Sequence, residues 1–165
     1  MSALITIAIV AVQFVLTFGA MFALYMLLAL LDYQGGLANF LGLALFHPFI
    51  AIILSLVTIV LCTLAGLPIR INKRLNRWWR THFYLAFLMA LLGLGACMFS
   101  FLPGNMESVT YTLGEVETTR EVPNQKLLIT GWFLLAFGLF HTFPPKGLQD
   151  KLETFLSRAT KRSKS

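Results

Sequence analysis

His82 and His141 are the two side chains best placed to act together. His82 opens one long charge-free stretch and His141 nearly closes another, and the two stretches run in opposite directions, so the imidazoles reach a similar depth. Two such histidines can supply the axial ligands of a haem b. The expected reading is plainer, two interfacial histidines, because both positions are shallow for a buried porphyrin. His47 belongs to the opposite face, so the three histidines cannot share a metal. Gln13 is the deepest strongly polar side chain; it can coordinate a substrate or bond a partner helix, but a bond within the bundle is expected. Cys62 and Cys97 fall in opposite leaflets, too far apart to bridge, and Cys62 lacks a nearby candidate for its base. Thr17, Ser55, Thr58 and Thr130 can satisfy their hydroxyls on the preceding helical turn. Neither an acid–base pair nor an activated nucleophile stands at one depth, and Rossmann, Walker, zinc and EF-hand signatures are absent. An enzyme is therefore not expected, nor a metal or cofactor, with haem b as the alternative.

The elements that position these residues are set by where charge is missing. The chain is 58% hydrophobic and 12% charged, about half the charged fraction of a soluble domain. No Asp, Glu, Lys or Arg falls within residues 1–31, 33–69, 81–106 or 127–145. A bilayer core of about 30 Å is crossed by about 20 apolar residues in a helix, so each gap holds one span: 4–31, 49–67, 81–102 and 127–143. Helices buried in a soluble protein still alternate with polar faces, and these stretches do not. The first run follows no Lys or Arg and is too long for a signal-peptide core, so it is read as a span. The expected fold class is an all-α membrane protein with four transmembrane helices, a short extracytoplasmic β-hairpin and a cytoplasmic amphipathic C-terminal helix. Residues 1–143 form the membrane domain and 144–165 the helix and basic tail.

Orientation follows from the cations. Arg70, Lys73, Arg74, Arg77 and Arg80 lie between the second and third spans with no acid among them. Six cations against Asp150 and Glu153 follow the fourth span, whereas the third connection carries four glutamates against Arg120 and Lys126. Positive charge stays in the cytoplasm, so both termini are expected inside; a bacterial inner membrane is expected because no retrieval or targeting signal appears. The net charge of +6 is then topogenic and does not point to nucleic acid. Trp78 and Trp79 beside the arginines belong at headgroup level, where this segment, with Arg70, Lys73, Arg74, Arg77 and Arg80, forms a lipid or partner interface.

Between Asp32 and the second span the pattern is ambiguous. Residues 37–46 are apolar, but His47-Pro48 interrupts them; a separate outer segment lying in the interface is expected, the alternative being a second helix that starts early and kinks at Pro48. Gly66 and Pro68 are expected to end that helix. In the third span Ala86, Ala90, Gly93 and Cys97 recur at offsets of 4, 3 and 4, a face that admits close helix packing. Gly19 and Ala23 in the first span, and Gly131 and Gly138 in the fourth, offer counterparts. The β-formers of 108–112 and 117–121 flank Leu113-Gly114-Glu115, which reads as a hairpin. In the tail, Leu152, Phe155 and Leu156 share one face of an amphipathic helix that rests on the membrane or a partner.

These features lead to an accessory or scaffold subunit of a larger membrane assembly as the expected function. It would bind membrane lipids and membrane protein partners through helix faces, hairpin and tail, with homo-oligomerisation open. The alternative is a small transporter, or a lipid- or quinone-interacting protein with an apolar ligand; the third reading is a haem-bearing anchor of a redox complex.

Overall fold

A computed structural model describes residues 3–33, 35–113 and 116–143. The expected tail helix, with Leu152, Phe155 and Leu156, lies outside the described residues. The chain is mostly helical, with one small antiparallel sheet: α1 (Ala3–Leu31), α2 (Leu37–Ile71), α3 (Lys73–Thr81), α4 (Phe83–Phe99), β1 (Glu107–Leu113), β2 (Val116–Val122) and α5 (Gln125–Phe140).

α1 runs without a break because nothing before Asp32 offers the backbone an alternative partner or a special conformation. Its inward stripe is Gln13, Thr17, Met21, Leu24 and Leu28, a helical repeat of four, four, three and four. α2 corrects the expected boundary. Residues 37–46 are not a separate segment: one helix continues through Pro48 and past Pro68 to Ile71. The energetic comparison explains it. An internal proline costs about 3 kcal/mol, whereas breaking the helix strands several backbone groups in hydrocarbon at several kcal/mol each.

Asn72 then turns the chain. Its side chain accepts from the backbone N–H groups of Arg74 (3.0 Å) and Leu75 (3.2 Å), capping α3. The segment expected as a connection is thus a nine-residue amphipathic helix, and it meets α4 at His82 with a bend of 71°. At the far end of α4, Asn124 N–H donates to Ser100 O (3.1 Å), and the Asn124 side chain accepts from Leu127 N–H (3.0 Å) to start α5. The hairpin between them pairs Ser108 with Glu121 and Thr112 with Glu117, so the strands extend one residue beyond 108–112 and 117–121 at each end.

α4 and α5 are the closest pair, and α5 also packs on α1 and α2. A Cβ added at Gly93 would meet Leu135 N and Gly131 O, and one at Gly131 would lie 2.6 Å from Gly93 O. Backbone rests on backbone along this seam. Outward faces remain apolar, with Phe49 67% exposed and Ile53 62%, a surface suited to lipid. By length and composition α1 and α2 can each cross a membrane, and the bent pair α3–α4 makes a third candidate. α5 is apolar but 16 residues long, about 24 Å, short of the ~30 Å core.

Candidate functional site

A cavity of about 360 Å³ lies between α1, α2 and α5, with Phe101 and Pro123 at its hairpin end. On α2 its wall is Leu54, Val57, Thr58 and Leu61, one face of a helix at offsets of three, four and seven. α5 supplies Leu128, Ile129, Trp132 and Phe133, and α1 supplies Tyr25, Leu28 and Ala29, with Asp32 just past its end. Trp132 is held in place because its Nε1 donates to Thr58 Oγ1 (2.8 Å), which itself donates to Leu54 O (2.7 Å). Tyr25 packs edge-on to Trp132 and tilts against His47, with ring centroids 6.4 and 6.1 Å away.

Polarity is graded along the cavity. From His47 to Leu61 the wall descends about 21 Å at 1.5 Å per residue, and the deep end is apolar apart from the satisfied Thr58 hydroxyl. The other end holds Asp32 and His47. Asp32 Oδ2 pairs with Arg120 of β2 at 2.6 Å, and Arg120 also donates to Asp32 O at 2.8 Å. The second oxygen, Oδ1, and His47 Nδ1 are buried and have no hydrogen-bond partner among the described residues. Chemically the cavity offers a hydrogen-bonding head and a long apolar body, the shape of a membrane amphiphile.

The opposite end of the bundle is closed. The last four carbonyls of a helix lack partners within it, and in α5 all four are met. Phe137 O accepts from His141 N–H (3.0 Å), Gly138 O from Thr142 Oγ1 (2.7 Å), Leu139 O from Thr142 N–H (3.3 Å), and Phe140 O from Arg70 Nη2 (3.4 Å). Beyond the helix, Trp79 Nε1 donates to His141 O (2.9 Å) and Gln13 Nε2 to Thr142 O (2.6 Å). Arg70 also stacks over Phe140 at 4.9 Å, a cation placed where the negative end of the helix dipole favours it.

The residues singled out from sequence that fall among the described ones can be placed as follows. Ala86, Ala90, Gly93 and Cys97 are the buried residues of α4, against Gly131 and Gly138 of α5. Gly19 and Ala23 face outward instead, with open space around Gly19, because Met21, Leu24 and Leu28 take the inward side. Lys73, Arg74, Arg77 and Trp78 are exposed, whereas Trp79 is buried and Arg70 turns inward. Gln13 bonds Thr142 within the bundle and accepts from Arg70 (3.4 Å). His82 packs on Trp78 at 4.8 Å; His141 is fully buried, stacked on Phe137 at 4.3 Å and seated on Gly66. Each imidazole thus packs against its own aromatic neighbour, His82 on Trp78 and His141 on Phe137. Among the described residues no three His, Cys, Asp or Glu side chains cluster as metal ligands.

Tyr25, Asp32, His47, Ala29 and Trp132 form the cavity and were not singled out together by the sequence. One signal pointed there: Asp32 is the sole acid in the first 106 residues. No family model, curated protein or solved structure matches this chain.

Proposed function

We propose that this chain is a four-span membrane protein that binds an amphiphile of the bilayer, a single-chain lipid or quinone-type molecule, in the cavity between α1, α2 and α5. The observation that carries the reading is the graded cavity, polar at Asp32 and His47 and apolar from Leu54 to Leu61. The spans in this reading are α1, α2, α4 and α5. The near-equal lengths of α4 and α5 support counting both, since a bilayer thins or flanking residues snorkel around short helices at modest cost. In a bacterial inner membrane α3 would lie at the cytoplasmic surface with its cations, the hairpin outside and both termini in the cytoplasm, an orientation that the distribution of Lys and Arg favours.

The test is to purify the full chain in mild detergent, extract what remains bound, and quantify it by mass spectrometry. Wild-type protein should carry an amphiphile in near-stoichiometric amount. Ala29→Trp, which fills the cavity from α1, should carry at least tenfold less while eluting as the same monodisperse species. Equal amounts in both would end the reading.

A second reading, the accessory subunit, has its own observation. Gly19 and Ala23 form a small-residue step on the outward face of α1, and in lipid such steps let a second transmembrane helix approach closely. If a partner helix docks there, Gly19→Leu should abolish its stoichiometric co-purification; unchanged recovery would discard the subunit reading.

A further inference from the structure

We infer that the cavity selects an uncharged amphiphile whose head donates a hydrogen bond, a hydroxyl compound such as a hydroquinone or a long-chain alcohol, through Asp32 Oδ1 and His47 Nδ1. The inference rests on the proposed reading of the cavity and specifies its ligand.

Three observations converge. First, Asp32 has one oxygen committed to Arg120 at 2.6 Å and one that is buried beside the cavity without a partner among the described residues. An ionised carboxylate only accepts hydrogen bonds, so whatever completes Oδ1 must bring a donor. A quinone or an ester carbonyl cannot. Second, His47 Nδ1 is likewise buried and unmatched on the facing wall. A hydroxyl both donates and accepts, so a hydroxyl head offers the donor that Oδ1 past the end of α1 needs and a partner for the imidazole on α2. A buried polar atom left unmatched is destabilising, and a ligand that satisfies both removes that penalty. Third, Arg120 already neutralises Asp32, so the head region has no residual charge to offset a carboxylate, phosphate or ammonium. The size agrees. About 360 Å³ is near the lower limit of small-molecule sites, roughly 300–1,000 Å³, enough for one head and one chain.

The experiment titrates detergent-solubilised full-length protein with four probes of matched chain length: an alkyl hydroquinone, its alkyl quinone, a primary alcohol and a fatty acid. The hydroquinone, the alcohol or both should bind at least tenfold tighter than the quinone and the fatty acid. Binding of the hydroquinone alone would identify a redox carrier as the source of the hydroxyl, and of the alcohol alone a lipid alcohol. Asp32→Leu and His47→Leu should each bring hydroquinone and quinone to within about twofold, a ratio measured on one protein sample and so independent of its yield. Equal binding of quinone and hydroquinone to wild-type protein, both lost in Ala29→Trp, would overturn the donor-head inference and leave the cavity reading standing. Tighter binding of the fatty acid would overturn it in the same way. If no probe binds, both readings fall.

Discussion

The two ends of the bundle meet the same problem, polar groups at helix termini, and resolve it differently. At the α3 end, Arg70, Gln13 and Trp79 reach from three helices to the carbonyls at and beyond the end of α5. At the hairpin end Arg120 satisfies half of Asp32, and the other half stands beside a cavity with His47. Unmatched atoms alone do not separate the two ends, because the ring nitrogens of His141 also lack a well-aligned hydrogen-bond partner among the described residues. Space does. The His141 ring is 0% exposed and lies against Phe137 and Gly66, with no room for a further group. Where unmet polarity and volume coincide, a ligand can resolve both; where the volume is missing, the unmet polarity is a packing compromise.

The largest effect that sharpens this contrast is expected where packing is tightest. Gly93→Leu would push a side chain into the backbone of Leu135 and Gly131, and neither can yield without parting α4 from α5. Overpacking of this kind costs about 3 kcal/mol or more when backbone is the obstacle. Loss of the folded, monodisperse species in detergent is expected; a variant with wild-type melting would show that the seam is not close-packed. A matched pair comes next. Gly66→Ala adds one methyl group at the closed end, where the His141 ring occupies the place of a Cβ, and should cost about 1–3 kcal/mol. Ala29→Leu adds three carbons at the cavity and should stay within about 0.5 kcal/mol of wild type. Thermal unfolding of the two variants reads the comparison directly. If the larger addition were the more damaging, the cavity would not be available space.

Trp79→Phe should come third. It keeps the aromatic edge packed on Phe137 at 6.1 Å and removes the donor to His141 O. A buried carbonyl left without its partner costs about 1–3 kcal/mol, and the lower end applies here because the helix's own last four carbonyls keep their bonds. The melting temperature should fall while amphiphile retention stays at the wild-type level, since the lost bond is at the other end of the bundle. A loss of ligand without a loss of stability would contradict the division between a closed and an open end.

How much of this is readable from sequence depends on whether the determinant is local. Charge-free stretches mark apolar helices because each residue reports its own solvent, and residues 108–112 and 117–121 pair as strands because β-branched side chains flank a turn. The face formed by Ala86, Ala90, Gly93 and Cys97 is visible because a helix repeats itself in known steps. Pro48 misleads for the same local reason: its propensity to break a helix is a property of the residue, whereas the penalty for breaking one is set by the surrounding apolar stretch. The 71° elbow at His82 goes with a bond from Trp79 to His141 O just past α5, a contact distant in sequence that no neighbouring residue announces. The cavity is the least local feature of all. Asp32, His47 and Trp132 meet only through the packing of three helices, and each alone reads as an interfacial acid, an interfacial histidine and a bundle tryptophan.

Arg120→Gln gives the smallest expected change in global stability and tests what joins the hairpin to the cavity. Arg120 and Asp32 are both 35% exposed, and a pair so accessible to water contributes about 0.2–1 kcal/mol. Overall melting should therefore move little. Locally the effect is different. A two-stranded hairpin is marginal on its own in water, and this one is tied to the helices by Arg120 and by Asn124, whose Nδ2 donates to Glu107 at 2.8 Å. Loss of one tie of about 1 kcal/mol corresponds to roughly a fivefold rise in the open fraction, so amide exchange across β1 and β2 should quicken by about that factor while α4 and α5 keep their protection. Equal acceleration in the helices would mean that hairpin and bundle open as one unit. The same variant leaves Asp32 without its counter-charge beside the cavity. A cationic alkylamine, which the neutral Asp32–Arg120 pair has no charge to attract, should then bind more tightly than to wild type, so the guanidinium would be setting the charge preference of the open end as well as holding its cover in place.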